Sequence, residues 1–185
     1  MNFAKYKESA EGVSLSSGTL TTFNVGVFAD FKLPSNFSIQ PAVNYTGKGG
    51  QFSASDNGAK AVTKLQLYYL QVPVNAVYHV PVLVGDIYFG AGPYIAKGLS
   101  GKIKSTADDG QGNKSSATMD IKFGTGDGDE IKPMQYGADI IVGFKLKNGL
   151  LINANYDLGL SNDAPHAGTG TNKSKVFGVS VGFSI

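Results

Sequence analysis

Apolar side chains recur at every second position over most of this chain, a pattern that commits it to β-strands with two chemically different faces. From 23 to 33 the odd positions are Phe23, Val25, Val27, Ala29, Phe31 and Leu33, against Asn24, Gly26, Phe28, Asp30 and Lys32. From 37 to 47 the odd set is Phe37, Ile39, Pro41, Val43, Tyr45 and Gly47. Later runs use even positions: Tyr136, Ala138, Ile140, Val142, Phe144 and Leu146, then Leu150, Ile152, Ala154, Tyr156, Leu158 and Leu160. The last run is Phe177, Val179, Val181, Phe183 and Ile185, against Gly178, Ser180, Gly182 and Ser184.

Two middle runs are less regular. Leu70, Val72, Val74, Ala76 and Tyr78 share a parity that Leu65 and Leu67 break, so a β-bulge is expected between 67 and 70. Ile87, Phe89, Ala91, Pro93 and Ile95 oppose Tyr88, Gly90, Gly92 and Tyr94, and Lys97 on the apolar parity is expected at a membrane boundary, where it can snorkel. A first strand over about 1–7 is short and reads as trimmed at its N-terminus. The total is about eight strands. Pro41, Pro73 and Pro93 fall inside strands, where a missing donor calls for bulges or local widening.

The connections alternate in length. Residues 34–36 and 147–149 are tight turns and 79–86 is somewhat longer, whereas 8–19, 48–64, 100–132 and 162–174 are long and rich in Gly, Ser, Thr, Asp, Asn and Lys. Outer-membrane barrels have this asymmetry, with short periplasmic turns and long extracellular loops. Pairing Leu33 with Phe37 and Leu146 with Leu150 leaves three-residue loops, with Asn36 and Gly149 at the positions that need φ > 0.

The expected architecture is therefore all-β, an eight-stranded antiparallel up-and-down transmembrane β-barrel formed by one domain over 1–185. A soluble lipocalin-like barrel would turn its apolar face inward. Here the polar parity is rich in Gly, Asn, Gln, Ser and Asp, which suits a narrow lumen, and most charges sit in the long loops. On that basis Val27, Phe31, Val43, Ile140, Ile152, Val179 and Val181 face lipid, and Tyr and Phe form the interfacial girdles, since the chain has no Trp. No apolar run approaches the length of a membrane helix. No charged start followed by an apolar stretch opens the chain, which fits an exported protein whose signal has been removed.

The same residues resemble a known family. The stretch FNVGVFADFKLPSNFSIQPAVNYTGKGGQ at 23–51, LYYLQVPV at 67–74, FGAGPY at 89–94, NYDLGLSN at 155–162 and the terminal FGVSVGFSI are similar to the small outer-membrane β-barrel domain of Bacteroidetes-type, porin-family, OmpX- and OmpA-like proteins. The prolines fall where that family carries Pro. The resemblance implies a bacterial outer-membrane barrel of mostly unassigned role; the non-aromatic last residue, Ile185, departs from the pattern.

Chemistry is sparse. There is no Cys, and a net charge of +2 argues against nucleic acid as a partner. His79 and His166 are the two histidines, neither with a Ser or carboxylate placed within reach, so no enzyme is expected. The acidic stretch Gly124 to Glu130 lacks the twelve-residue calcium-loop pattern and reads as a solvated loop. No cofactor and no metal centre are expected.

The lumen holds the candidate binding residues: Asp30, Lys32, Tyr88, Tyr94, Asp139 and Asp157. Inward Phe28, Tyr69, Tyr88 and Tyr94 would fill much of an eight-strand interior. Counting back from the turn at 147–149 sets Asp139 opposite Asp157, both inward. They are expected as hydrated carboxylates bonded to Asn and Tyr, or as a pair sharing a proton or a cation. Lys32 and Lys145 are expected near the short-turn end. The expected role is structural or loop-mediated interaction, with outer-membrane lipid (lipopolysaccharide or phospholipid) around a monomer and an extracellular partner for the loops. The alternatives are a narrow solute or ion channel, a soluble ligand-binding barrel, or a lipid-modifying enzyme.

Overall fold

The computed structural model describes residues 1–185 except 11–12, 57–58, 112, 125–130, 163–170 and 185. Among the described residues there are twelve strands and no helix: β1 (Asn2–Ala10), β2 (Val13–Ser16), β3 (Leu20–Thr22), β4 (Asn24–Phe28), β5 (Phe31–Lys32), β6 (Phe37–Asp56), β7 (Ala59–Val82), β8 (Gly85–Asp108), β9 (Lys114–Asp120), β10 (Met134–Leu146), β11 (Leu150–Gly159) and β12 (Thr171–Phe183). They form one antiparallel sheet in the order β2-β1-β12-β11-β10-β8-β7-β6-β4, with β3 on β1, β5 on β6 and β9 on β8. The sheet curls into a nearly closed barrel. β3, β4 and β5 are successive pieces of one course: the first pairs with β1, through Asn2↔Thr22 and Ala4↔Leu20, and the other two pair with β6.

About eight strands were expected, and the described residues hold twelve. The extra segments come from the breaks in the 20–32 course and from strands that continue through sequence read as loop. β6 and β7 pair without interruption of register out to Asp56↔Ala59, and β8 runs to Asp108 before returning as β9. Residues 51–56 pair with 59–64 and 102–108 with 114–120, so most of the described part of these stretches is a ladder standing above the barrel. Backbone hydrogen bonds make that ladder whatever the side chains, which is why Gly-, Ser- and Lys-rich sequence carries it. At the other end β7 and β8 also run on, leaving only Leu83 and Val84 between them where a longer connection was expected.

The register shifts within the expected stretch, between Tyr68 and Tyr69, but the extra residue is on the partner strand. Tyr68 pairs with Ser100 and Tyr69 with Gly98, so Leu99 on β8 is the extra residue and β7 stays regular. Leu67 needs no parity change, because it points inward with Tyr69. The prolines sit at gaps in the ladders. β6–β7 pairing lapses opposite Pro73, and β7–β8 pairing lapses opposite Pro93, so no donor is asked of either.

Both tight turns form with the expected register. Leu33 N–H donates to Phe37 O at 2.7 Å, with Ser35 and Asn36 both at φ 63°. Gly149, at φ 90°, closes the other turn by donating to Leu146 O at 3.0 Å.

The faces divide as expected for lipid. Val27, Phe31, Val43, Ile140, Ile152, Val179 and Val181 are all exposed on the outer wall, while Gln71, Asn75, Gln135, Asp139 and Asp157 are buried inside. That is the inverse of a soluble ligand-binding barrel. Two outward aromatic clusters bracket the apolar band. Phe23, Tyr45 and Tyr68 pack with ring centroids 5.5–5.7 Å apart, and Phe37, Tyr78 and Phe89 at 4.9 and 5.7 Å. Tyr68 and Tyr78 lie on one strand. At ~3.3 Å per residue and a tilt of ~40° their levels differ by roughly 25 Å, the height of an outer-membrane band.

Candidate functional site

The lumen has three levels. The upper one, toward the long hairpins, is an apolar plug of Tyr6, Leu67, Tyr69, Tyr94, Ala96, Ile121 and Ile131, with Phe123 packed against it. Ile121 and Phe123 directly follow β9, and Ile131 precedes β10; all three pack on the plug. Ile121 N–H donates to Gly101 O at 2.9 Å, and Phe123 meets Tyr69 edge-on at 5.8 Å. Glycines make room for the tyrosines. A Cβ at Gly137, the direct partner of Tyr94 on β10, would fall 2.7 Å from that ring, and one at Gly143, the partner of Tyr88, 2.3 Å from Tyr88.

Lys48 is fully buried beneath the plug. It donates to Gln135 Oε1 at 2.6 Å and to Tyr94 OH at 3.3 Å, and its ammonium lies 4.4 Å from the Tyr94 ring centroid. Gln135 passes the network on by donating to Ser174 Oγ at 3.0 Å. The sequence reading left Lys48 in a loop. The signal that would have found it is parity, since Asn44, Thr46 and Lys48 continue one inward row.

The middle level is carboxylate and amide. Asp139 and Asp157 are direct cross-strand partners and both are buried, as the count from the turn requires. Asn75 Nδ2 donates to Asp139 Oδ2 at 2.6 Å, Gln71 Nε2 to Asp157 Oδ2 at 2.9 Å, and Asn155 Nδ2 to Asp157 Oδ1 at 2.9 Å. The reach of Asn75 from β7 past β8 to β10 depends on Gly90 and Gly92, which leave β8 without side chains at this level.

The lower level surrounds Asp30. Gln40 Nε2 donates to Asp30 Oδ1 at 3.0 Å, and His79 Nε2 lies 2.8 Å from Ser38 Oγ and 3.8 Å from Asp30 Oδ1. This corrects the expectation that His79 has no Ser or carboxylate within reach: it is buried, and strand assembly supplies both. The arrangement is not that of a hydrolase. A catalytic histidine takes the serine proton on one ring nitrogen and is oriented by the acid through the other, whereas here both groups lie at Nε2. Lys32 and Lys145 line the lower opening with Phe28 and Asp30.

The six candidate residues are therefore not one cluster. Tyr94 belongs to the plug, Asp139 and Asp157 to the middle, Asp30 and Tyr88 to the level below, where Tyr88 OH donates to Asn153 Oδ1 at 3.3 Å, and Lys32 to the rim. A cavity of about 460 Å³ joins the middle and lower levels; Asp30, Gln71, Asn75, Tyr88, Asp139 and Asp157 are among the residues lining it. It also reaches the wall between β4 and β12, where Val25 to Phe28 and Ser180 to Phe183 line it. Among the described residues no group of three or more His, Cys, Asp or Glu is placed to hold a metal ion. His166 and residues 125–130 of the acidic stretch lie outside the described residues, as does Ile185.

A family model, outer membrane protein beta-barrel domain, matches residues 1–163. No curated protein matches the chain. Among solved structures it is similar to Ail, the attachment invasion locus protein of Yersinia pestis, solved in complex with the heparin analogue sucrose octasulfate, at 12% identity, 98% and 93% coverage of this chain and that one, and a TM-score of 0.43. It is also similar to Neisserial surface protein A, at 16% identity, 96% and 91% coverage and a TM-score of 0.43. A wall that is apolar outside and polar within, matched over most of its length, makes this chain a member of the outer membrane protein beta-barrel domain family, located in the bacterial outer membrane.

Proposed function

We propose that this protein is a closed outer-membrane barrel that displays its long hairpins outside the membrane in a structural or loop-mediated interaction role, and is not a wide pore. The observation that carries this reading is the plug. Tyr69, Tyr94 and Leu67 have essentially no accessible surface, and Ile121 and Ile131 pack on them. Each such side chain gains about 1.5–3 kcal/mol from burial, so the seal holds at equilibrium. Counting β3–β5 as one interrupted course and setting aside β2 and β9 as additions above the membrane, the wall has eight courses and acts as one domain. Eight courses leave only enough interior for side chains.

The partners follow from the outer surface. Lys60, Lys64, Lys102 and Lys104 are exposed on the ladder above the Tyr68 girdle, and Lys64 stands directly opposite Lys104. Like charges in register favour an anionic neighbour, and the phosphates of lipopolysaccharide or phospholipid lie at that height. The apolar outer band is covered by lipid around a monomer. The geometry at His79 supports a non-enzymatic role.

The test is planar-bilayer recording of the refolded protein. The closed-barrel reading expects no steady conductance. Large, steady single-channel currents would overturn it, and brief small currents abolished by filling the lower cavity would favour a narrow conductor, the reading that the polar lower lumen supports.

A further inference from the structure

We infer that the middle of the lumen is a binding site for a divalent cation of the calcium class, held between Asp139 and Asp157 with the side-chain oxygens of Gln71 and Asn75. Asp139 and Asp157 face each other in register, and each is more than nine-tenths buried. Two carboxylates facing each other inside a barrel repel unless a proton or a cation lies between them. The chain has no Arg to supply the charge. Lys48, the buried lysine nearby, donates its hydrogen bonds to Gln135 and Tyr94 and to neither carboxylate oxygen in the bonds described.

The second observation is independent of the acidic pair. Two amide oxygens here, Gln71 Oε1 and Asn75 Oδ1, are buried without a protein hydrogen-bond partner. Buried acceptors are almost always satisfied, and a group of orphans in one place points to something that binds there. Their companion atoms are already committed, because Gln71 and Asn75 spend their amide N–H groups on the two carboxylates. Each amide is thereby fixed with its nitrogen on a carboxylate and its oxygen left over. All four side chains line the same cavity, which opens toward the short-turn end and gives an entry path.

The donor set selects the ion. Every available ligand atom is oxygen, which suits a hard cation, and the two carboxylates match a charge of two. Calcium accepts six to eight oxygens in irregular geometry and completes its shell with water, whereas magnesium demands a near-ideal octahedron. His79, the nitrogen ligand of the lumen, is held at the lower level by Ser38.

The test uses the full chain refolded in detergent micelles and stripped with chelator. Ca²⁺ is titrated calorimetrically, and Tb³⁺ is followed by tyrosine-sensitised emission, which no Trp complicates in this chain. One ion should bind per chain, with a rise in thermal midpoint. Asp139→Asn and Asp157→Asn, which relieve repulsion and so should fold without the ion, should each weaken binding by at least ~10-fold, and Gln71→Ala by less. Three results would overturn the inference: no saturable binding by the wild type, binding undiminished in both Asp variants (an ion held elsewhere, such as the acidic stretch 124–130), or a wild-type midpoint that ignores cations and follows pH alone, which is a shared proton. Conductance is not read in this experiment, so any of these leaves the closed-barrel proposal standing.

Discussion

The upper and lower halves of the lumen are built on the same strands and differ in almost everything else. Above, Tyr6, Leu67, Tyr69 and Tyr94 interlock with Ile121 and Ile131 and leave no space; below, Asp30, Gln40, Asn75, Tyr88 and Asn153 border a cavity of about 460 Å³. The strand scaffold permits either outcome, and the inward side chains choose between them. Where Tyr69 and Tyr94 meet Leu67, Ile121 and Ile131, the inward side chains pack into one apolar cluster. Where inward amides face carboxylates, short side chains bond across the lumen and leave gaps between them. On the proposed reading the product is a vessel closed at its long-hairpin end, not a tube.

The sharpest way to break this comparison is to remove one aromatic from each half. Tyr94→Ala empties a packed site under the plug and should cost about 3–5 kcal/mol. Tyr88→Ala, the matched truncation, only widens an existing cavity and gives up the hydroxyl bond to Asn153 at 3.3 Å, so it should cost less, about 2–3 kcal/mol. Denaturant titration of both variants in micelles reads the difference, and equal losses would mean the two halves are packed alike.

A second pair of variants compares the two sides of the wall beside the cavity. Ile152 is exposed to lipid, and its neighbour Asn153 lines the cavity. Ile152→Lys should cost roughly 2–4 kcal/mol in a bilayer. Asn153→Lys should cost under ~1 kcal/mol, because its ammonium enters a hydrated polar space. The reverse order would exchange the inner and outer faces.

The smallest effect is expected above the plug, where the ladder stands in water. The side-chain amide of Asn113, then the backbone N–H of Gln111, hold the Asp109 carboxyl below the ordinary carboxylate range. A carboxyl lowered in the folded state contributes order above its ordinary pKa and loses it as pH falls through the lowered value. The tip at 109–113 should therefore loosen only in strong acid, read as amide chemical shifts of Gln111 and Asn113, with the barrel unchanged. Asp109→Ala should show the loosened shifts at neutral pH.

What the sequence made legible follows from locality. A three-residue turn fixes register for everything that follows it, so Asp139 opposite Asp157 could be counted from Leu146 and Leu150. Alternation likewise identified the lipid face residue by residue. The partners of His79 were not legible, because Ser38 and Asp30 reach it through the β5–β6–β7 pairing, and that register is known only once the strands are assembled. Lys48 and the long ladder were missed because charge and glycine were read as loop, although backbone hydrogen bonds carry a strand through such sequence. Sequence alone places the bulge on β7, because Leu67 alternates out of step with Leu70; Leu67 in fact packs inward against Ile121, a residue distant in sequence, and the extra residue is Leu99 on β8.

The most direct test of a lumen closed above and open below exploits the absence of cysteine. Single-cysteine variants Asn153→Cys and Tyr69→Cys, refolded into sealed vesicles of known orientation, are exposed to a membrane-impermeant thiol reagent from each side in turn. The account predicts that position 153 reacts from the short-turn side alone and that position 69 reacts from neither. Labelling of position 153 from the long-hairpin side, or of position 69 from either side, would contradict it.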